Sequence, residues 1–235
     1  MSVVGASDGA SDGASGGASG EASIGLLIGR DLSPFVRRSA TVLNLLGLPY
    51  ERKRVATEED GDFIREHNPL GRVPALIVTA QAGADGYVIV DSAMIIDYAL
   101  EIATNGHSLL ASAGVQRRNV LYLSALATGV MEKIVAAAYE VRMRPKEYVY
   151  SPYLERLQGQ AIAGLVELNS RVNQPYFGGD VPCLADVNAV IAYDQMKIVA
   201  PEILKQTALP GLSTLSERAN QLAAFAATRW QPEAA

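Results

Sequence analysis

The sequence predicts a small α/β domain followed by an all-helical one. Two observations carry this. Between residues 24 and 103, patterns follow in the order strand, helix, strand, short helix, hairpin, helix, which fits a small sheet with helices packed on it. Beyond residue 114, apolar residues recur at helical spacing, and no convincing strand pattern appears.

Ahead of both domains, residues 5–20 read as four Gly- and Ser-rich tetrapeptides, GASD, GASD, GASG and GASG. Such a stretch buries little apolar surface and is costly to order, so residues 1–23 are expected to be a flexible tail. Ile24 to Ile28 is a short apolar run that suits a buried strand. Ser33-Pro34 opens a helix, because Ser caps well and Pro fits the first helical position. Val36, Ala40 and Leu43 share one face, with Arg37, Arg38, Thr41 and Asn44 elsewhere around it, and Gly47 and Pro49 stop the helix. Tyr50 to Val55 reads as a partly exposed strand, and Asp62 to His67 as a short helix ending at Asn68. Pro74–Thr79 and Tyr87–Val90 are joined by Gly83 and Asp85-Gly86, which is a hairpin signal. Asp91-Ser92 then opens a helix with Met94, Ile95, Tyr98 and Ile102 as its expected apolar positions.

The stretch 104–113 reads as a linker. After it, Gly114 to Arg144 is one long helix or a kinked pair, stopped by Pro145. Pro152 to Val172 is another, with Leu154, Leu157, Ile162, Leu165 and Leu168 as apolar positions. Two more run from Ala185 to Val199 and from Leu212 to Thr228. The helical domain is thus expected over residues 114–232, and the α/β domain over 24–103.

Composition narrows the function. Apolar residues make up 49% of the 235, enough for a sizeable core. The net charge is −5, and the tail holds Asp8, Asp12 and Glu21 with no Lys or Arg, so the body is close to neutral. That gives no electrostatic footprint for nucleic acid. Cys183 is the single cysteine, so no internal disulfide forms, which fits a reducing, cytoplasmic compartment. With His67 and His107 it does not make a common zinc site, so no metal is expected. No run approaches the ~18 apolar residues of a membrane span, and no secretory signal pattern opens the chain.

Three segments carry candidate chemistry: Ser33-Pro34-Phe35-Val36-Arg37-Arg38, Asn68-Pro69-Leu70-Gly71-Arg72-Val73-Pro74-Ala75-Leu76, and Asp91-Ser92-Ala93-Met94-Ile95-Ile96-Asp97-Tyr98. Each is ordinary alone: a helix start, a strand start and a cap. In this order, ahead of a helical domain, they resemble the soluble glutathione transferases, most of all bacterial members with serine at the active-site position. The resemblance covers about residues 24 to 229. It implies a thioredoxin-like domain followed by an all-helical glutathione transferase C-terminal domain.

The resemblance also implies roles. Ser33 matches the residue whose hydroxyl faces the glutathione sulfur. A hydroxyl donor and the positive end of a helix both favour thiolate over thiol. Val73-Pro74 matches the cis-proline corner, where the Val backbone pairs with glutathione like an added strand. Asp91 and Ser92 match the pair that holds the γ-glutamyl end, and Arg72 is placed to meet the glycyl carboxylate. Met131, Val135, Tyr139 and Arg142 share one helix face, and Phe35, Tyr139 and Arg142 are the candidate contacts to the second substrate. One departure is Cys183, standing where Ser or Thr normally forms a capping box with Asp186, since a thiol is a poor acceptor. Cys183 itself reads as a buried structural residue.

The expected activity is glutathione transfer, with glutathione as co-substrate, no metal, and a small hydrophobic electrophile as the second partner. A homodimer is implied by resemblance. Two alternatives stand beside it. One is disulfide or peroxide reduction by glutathione without a protein cysteine. The other is a non-catalytic binding or regulatory protein on the same scaffold.

Overall fold

The computed structural model describes residues 22–55, 59–79 and 85–231. Most of the expected tail, Gly83 of the hairpin loop and Pro232 lie outside the described residues. The first described contact is close to the expected domain start: the Ser23 carbonyl accepts from Thr79 Oγ1 at 3.1 Å.

The first domain is a four-stranded sheet in the order β2-β1-β3-β4. β1 (Gly25–Ile28) runs parallel to β2 (Glu51–Lys53), and the helix α1 (Pro34–Leu46) makes the crossover between them. β3 (Ala75–Val78) is antiparallel to β1, and β4 (Tyr87–Val90) is antiparallel to β3. Between β2 and β3 lies the short α2 (Gly61–His67), and α3 (Ser92–Ile102) follows β4. The inner strands are hydrophobic because they are covered: Leu27, Ile28, Ala75 and Leu76 have no accessible surface. This mixed sheet with its helices, followed by a helical domain, is the architecture expected from the sequence.

The helical domain contains α4 (Gly114–Arg142), α5 (Ser151–Ser170), α6 (Leu184–Val199), α7 (Pro201–Leu204), α8 (Pro210–Ala219) and α9 (Ala223–Ala226). One 3₁₀ turn, Gly106–Ser108, falls in the linker. The α4 helix is long and apolar enough to cross a membrane by length and composition. This departs from the expectation of no such run. Here its Ala127, Val130, Met131 and Ile134 are buried, as in the core helix of a folded domain.

Two further expectations are corrected. The helix expected over Leu212–Thr228 is two helices, broken around Asn220 to Leu222, and α7 was not foreseen. On α3 the buried positions are Ser92, Ile95, Ile96 and Ala99, while Met94 and Ile102 are 54% and 38% exposed. On α1 the burial extends beyond the apolar face. Arg37, Arg38 and Thr41 are as buried as its apolar face, because the helical domain packs on that side.

That second face is polar and paired. The Arg37 guanidinium donates to Asp194 Oδ2 on α6 at 2.8 Å and to Asn220 Oδ1 at 2.9 Å. Asp194 also accepts from Ser216 Oγ at 2.6 Å and from Asn220 Nδ2 at 3.0 Å. Arg38 Nη1 donates to Thr128 Oγ1 at 3.0 Å, and Thr41 and Thr228 share a hydrogen bond of 2.8 Å. A single helix is thus clamped between the sheet and the helical domain, which fixes where its N-terminus points.

Around the Cys183 cap, the carboxylate half of the box is made. Asp186 accepts from the backbone N–H of Cys183 and of Phe177, both at 2.8 Å. Burial still holds the Asp186 carboxyl above its usual range, against those bonds. The α6 start is therefore held by Asp186 where the sequence suggested a weakened cap.

Candidate active site

The N-terminus of α1 is built locally. Ser33 is the N-cap and Pro34 the first helical residue, and the Val36 N–H donates to Ser33 Oγ. That contact is 3.4 Å, long for an N–H···O bond. Ser33 Oγ accepts there, so its O–H proton remains available for another acceptor. At the other end, Gly47 takes φ 71° and stops the helix in the left-handed conformation that a side chain disfavours.

Gly29, just after β1, lets two parts of the site close together. It has φ 144°, and a Cβ there would collide with the Val36 side chain and come within 3.2 Å of Val73 Cβ. The first turn of α1 and the Val73 corner therefore pack directly against each other. Val73-Pro74 is a cis peptide, as the resemblance implies. The loop leading to it is shaped by the buried Asn68, whose Nδ2 donates to the Arg72 carbonyl at 2.8 Å and whose Oδ1 accepts from Leu70 N–H at 3.1 Å.

A cavity of about 340 Å³ opens here. One wall is Arg30, Leu32, Ser33 and Phe35, and a second is Gly71, Arg72 and Val73. The opposite wall comes from the helical domain: Val135, Tyr139 and Arg142 on α4, with Gln195 and Val199 on α6. So six of the sequence-derived candidates, Ser33, Phe35, Arg72, Val73, Tyr139 and Arg142, meet at one cavity. Met131 does not join its helix-mates there, being fully buried in the core.

Pro74, Asp91 and Ser92 do not line this cavity. They adjoin it through the sheet: Ala75 pairs with Val90, so the register sets Asp91 beside Pro74. Asp91 is the N-cap of α3, accepting from Ala93 N–H at 2.8 Å, and holds φ 72°, ψ 137°. A non-glycine residue with these angles is strained, and such strain concentrates at binding sites. Ser92, the first residue of α3, is 2% exposed.

The electrostatics of the cavity are one-sided. Its charged lining residues are Arg30, Arg72 and Arg142, with no carboxylate. Close by, burial pushes the Arg38 guanidinium down to about 10, with the Asp91 and Glu132 carboxylates pulling the other way. The Cys183 thiol is pushed up to about 12, first by burial and then by Asp186, so it stays protonated and buried.

Gly29, Arg30, Gln195 and Val199 were not singled out from sequence. Gln195 and Val199 are four apart on α6, but that spacing is indistinguishable from core in a helix whose first thirteen residues are all buried.

Comparison with known proteins fits this geometry. Residues 27–107 match the family model described as glutathione S-transferase, N-terminal domain. No curated protein matches the chain in a sequence search. Many solved structures share the fold. A glutathione S-transferase from Methylobacterium radiotolerans, in complex with glutathione sulfonate, has a TM-score of 0.77 at 24% identity, covering 89% of this chain and 97% of its own. A glutathione transferase family member from Pseudomonas fluorescens Pf-5 with bound glutathione has 0.74 at 23%, covering 88% and 98%. A glutathione transferase from Burkholderia graminis, with two glutathione molecules per subunit, has 0.74 at 16%, covering 89% of each chain. Residues 27–107 are thus similar to the N-terminal domain of the glutathione S-transferases, and the chain shares the two-domain fold of these solved structures.

Proposed function

We propose that the chain is a glutathione transferase, with Ser33 as the residue that stabilises the glutathione thiolate. The observation that carries this is Ser33 itself. Its hydroxyl caps α1 only loosely, at 3.4 Å, while forming part of a cavity wall shared with Arg72 and Val73. In this reading the Val73 backbone receives the cysteinyl segment, and Arg72 pairs with the glycyl carboxylate. The γ-glutamyl end lies toward Asp91 and Ser92, with the ammonium on Asp91 and the carboxylate at the α3 N-terminus.

The chemistry belongs to the borrowed thiol. Ser33 O–H and the α1 dipole favour loss of the S–H proton to solvent. The thiolate sulfur then forms a bond to an electrophilic carbon, and the leaving group departs with its bonding pair. Phe35, Tyr139 and Arg142 stand where the electrophile would enter. Calorimetric titration with glutathione tests the binding step. Saturable binding at millimolar or lower concentration is expected, and no binding would move the protein to a non-catalytic role.

Asp91→Asn separates charge from structure. The amide keeps the cap acceptor and the size, so the melting temperature should change little, by less than about 0.5 kcal/mol of stability. Glutathione affinity should fall by about tenfold, the usual size of a charge-assisted contact. Calorimetry on both proteins checks it, and an unchanged affinity would remove Asp91 from the site.

A second reading has one observation in its favour. Three arginines on the cavity wall suit a second anionic glutathione, and with Cys183 buried any disulfide or peroxide reduction would run through glutathione alone. Faster turnover of a mixed disulfide than of any aryl halide would favour it.

We also infer a cytoplasmic homodimer. Edge strand β4 exposes Tyr87, Val88 and Val90, α3 exposes Met94, and α4 exposes Leu121 and Tyr122. Apolar residues of this size on an edge strand and neighbouring helices favour a partner surface. Sedimentation equilibrium should give twice the chain mass, and Val90→Lys should shift it toward the monomer.

A further inference from the structure

We propose that the second substrate is an apolar electrophile carrying a carboxylate, with Arg142 receiving the acid group. This rests on the transferase reading and names the substrate class for the same cavity.

Arg142, the last residue of α4, borders two spaces. It lines the main cavity, and it also lines a smaller one of about 120 Å³ between α4, α5 and α6. That second space exists because small side chains, Ala137, Ala138, Ala161 and Ala200, meet there. Its walls are mostly apolar, with Ile134 and Met196 completing them, so it accepts a hydrocarbon or aryl group and not a peptide. Ala138 and Val199 belong to both linings, so the two spaces abut.

Charge decides what accompanies that apolar group. Neither lining includes an Asp or Glu, while Lys133 and Arg142 stand on the smaller one. Arg142 has no side-chain hydrogen bond or ion pair with any described residue. The contrast with Arg144 is direct: two residues on, its guanidinium donates to Glu140 Oε1 at 2.9 Å. In the transferase reading the glutathione carboxylates are met by Arg72 and the α3 N-terminus, which leaves Arg142 for the other reactant. A planar guanidinium beside an apolar space matches a planar carboxylate on an apolar body.

The test uses two probes with one ring: 4-chloro-3-nitrobenzoate and 4-chloro-3-nitrobenzamide. In both, the thiolate sulfur bonds to the carbon bearing chlorine, and chloride leaves with the bonding pair. Each kcat/KM is divided by the uncatalysed rate with glutathione, which removes the difference in intrinsic reactivity. Wild type should favour the carboxylate by about tenfold, the effect of one charge-assisted contact. Arg142→Gln should abolish that preference, lowering carboxylate turnover about tenfold more than amide turnover, and Arg142→Lys should retain part of it. Amide turnover with no carboxylate preference in wild type overturns the inference and leaves the transferase reading standing. An equal loss for both probes in Arg142→Gln also overturns it. Binding of two glutathiones, the second lost in Arg142→Gln, overturns it in favour of the disulfide reading. No turnover of either probe by a glutathione-saturated protein overturns both this inference and the transferase reading.

Discussion

Asp194→Ala is expected to destabilise the protein by about 3–5 kcal/mol, the cost of breaking a buried ion pair from one side. The variant leaves the Arg37 guanidinium between two domains with no anion. Side chains of the pair are only 6% and 9% exposed, so water does not replace the lost partner. Pairing and burial compete differently at the two ends. At Asp194 burial would raise the carboxyl, but Arg37, Ser216 and Asn220 together hold it below its usual range. At Arg37 burial outweighs Asp194, although the guanidinium remains charged. The pair thus adds little net stability when intact and is costly to break.

The depressed carboxyl also sets a pH dependence. A group with a lowered folded pKa contributes stability above its unfolded value of about 3.9, and loses it as pH falls through the folded value. Asp186, held high, has the opposite sign, so acid relieves its cost. Comparing wild type with Asp194→Asn isolates the Asp194 limb. Melts from neutral pH downward should show a steep wild-type loss below about pH 4 that the variant lacks. Parallel curves would mean the pair is not maintained in solution.

Ser33→Ala should separate stability from catalysis. A hydrogen bond of 3.4 Å is a weak cap, so the cost should sit near the low end for N-caps, about 0.5 kcal/mol. Turnover at neutral pH should fall about ten- to a hundredfold, since each unit of thiol pKa is a factor of ten in thiolate. Glutathione binding should change little, because the role proposed for Ser33 is on the sulfur alone. Kinetics and calorimetry on one preparation check the split. A large loss of stability with unchanged turnover would reduce Ser33 to a helix cap.

What was legible in the sequence is what is local in the chain. Ser33-Pro34 and Gly47 bound α1, and Asp91 and Ser92 start α3, because capping involves residues within one turn. The positions of the strands along the chain also follow from short apolar runs. Contacts made across the chain were not legible. The pairing of Arg37 is not visible in the local pattern because its partner, Asp194, is 157 residues away. Met94 read as buried because it is apolar, yet it lies off the face that α3 turns to the core. Ser33, Arg72 and Val73 could be named as a site from their motifs, whereas Gln195 and Val199 become visible only when α6 is seen to face α1. The role of Gly29 appears only with Val36 and Val73 in place.

In the proposed reading, this fold turns a thiol into a thiolate at the α1 N-terminus. The direct measurement is the ultraviolet absorbance of the thiolate of bound glutathione, titrated with pH in wild type and in Ser33→Ala. The wild-type thiol should titrate at least about one unit below the ordinary thiol value near 8.5, and the variant should return toward it. An identical thiol pKa in the two proteins would contradict the role given to Ser33.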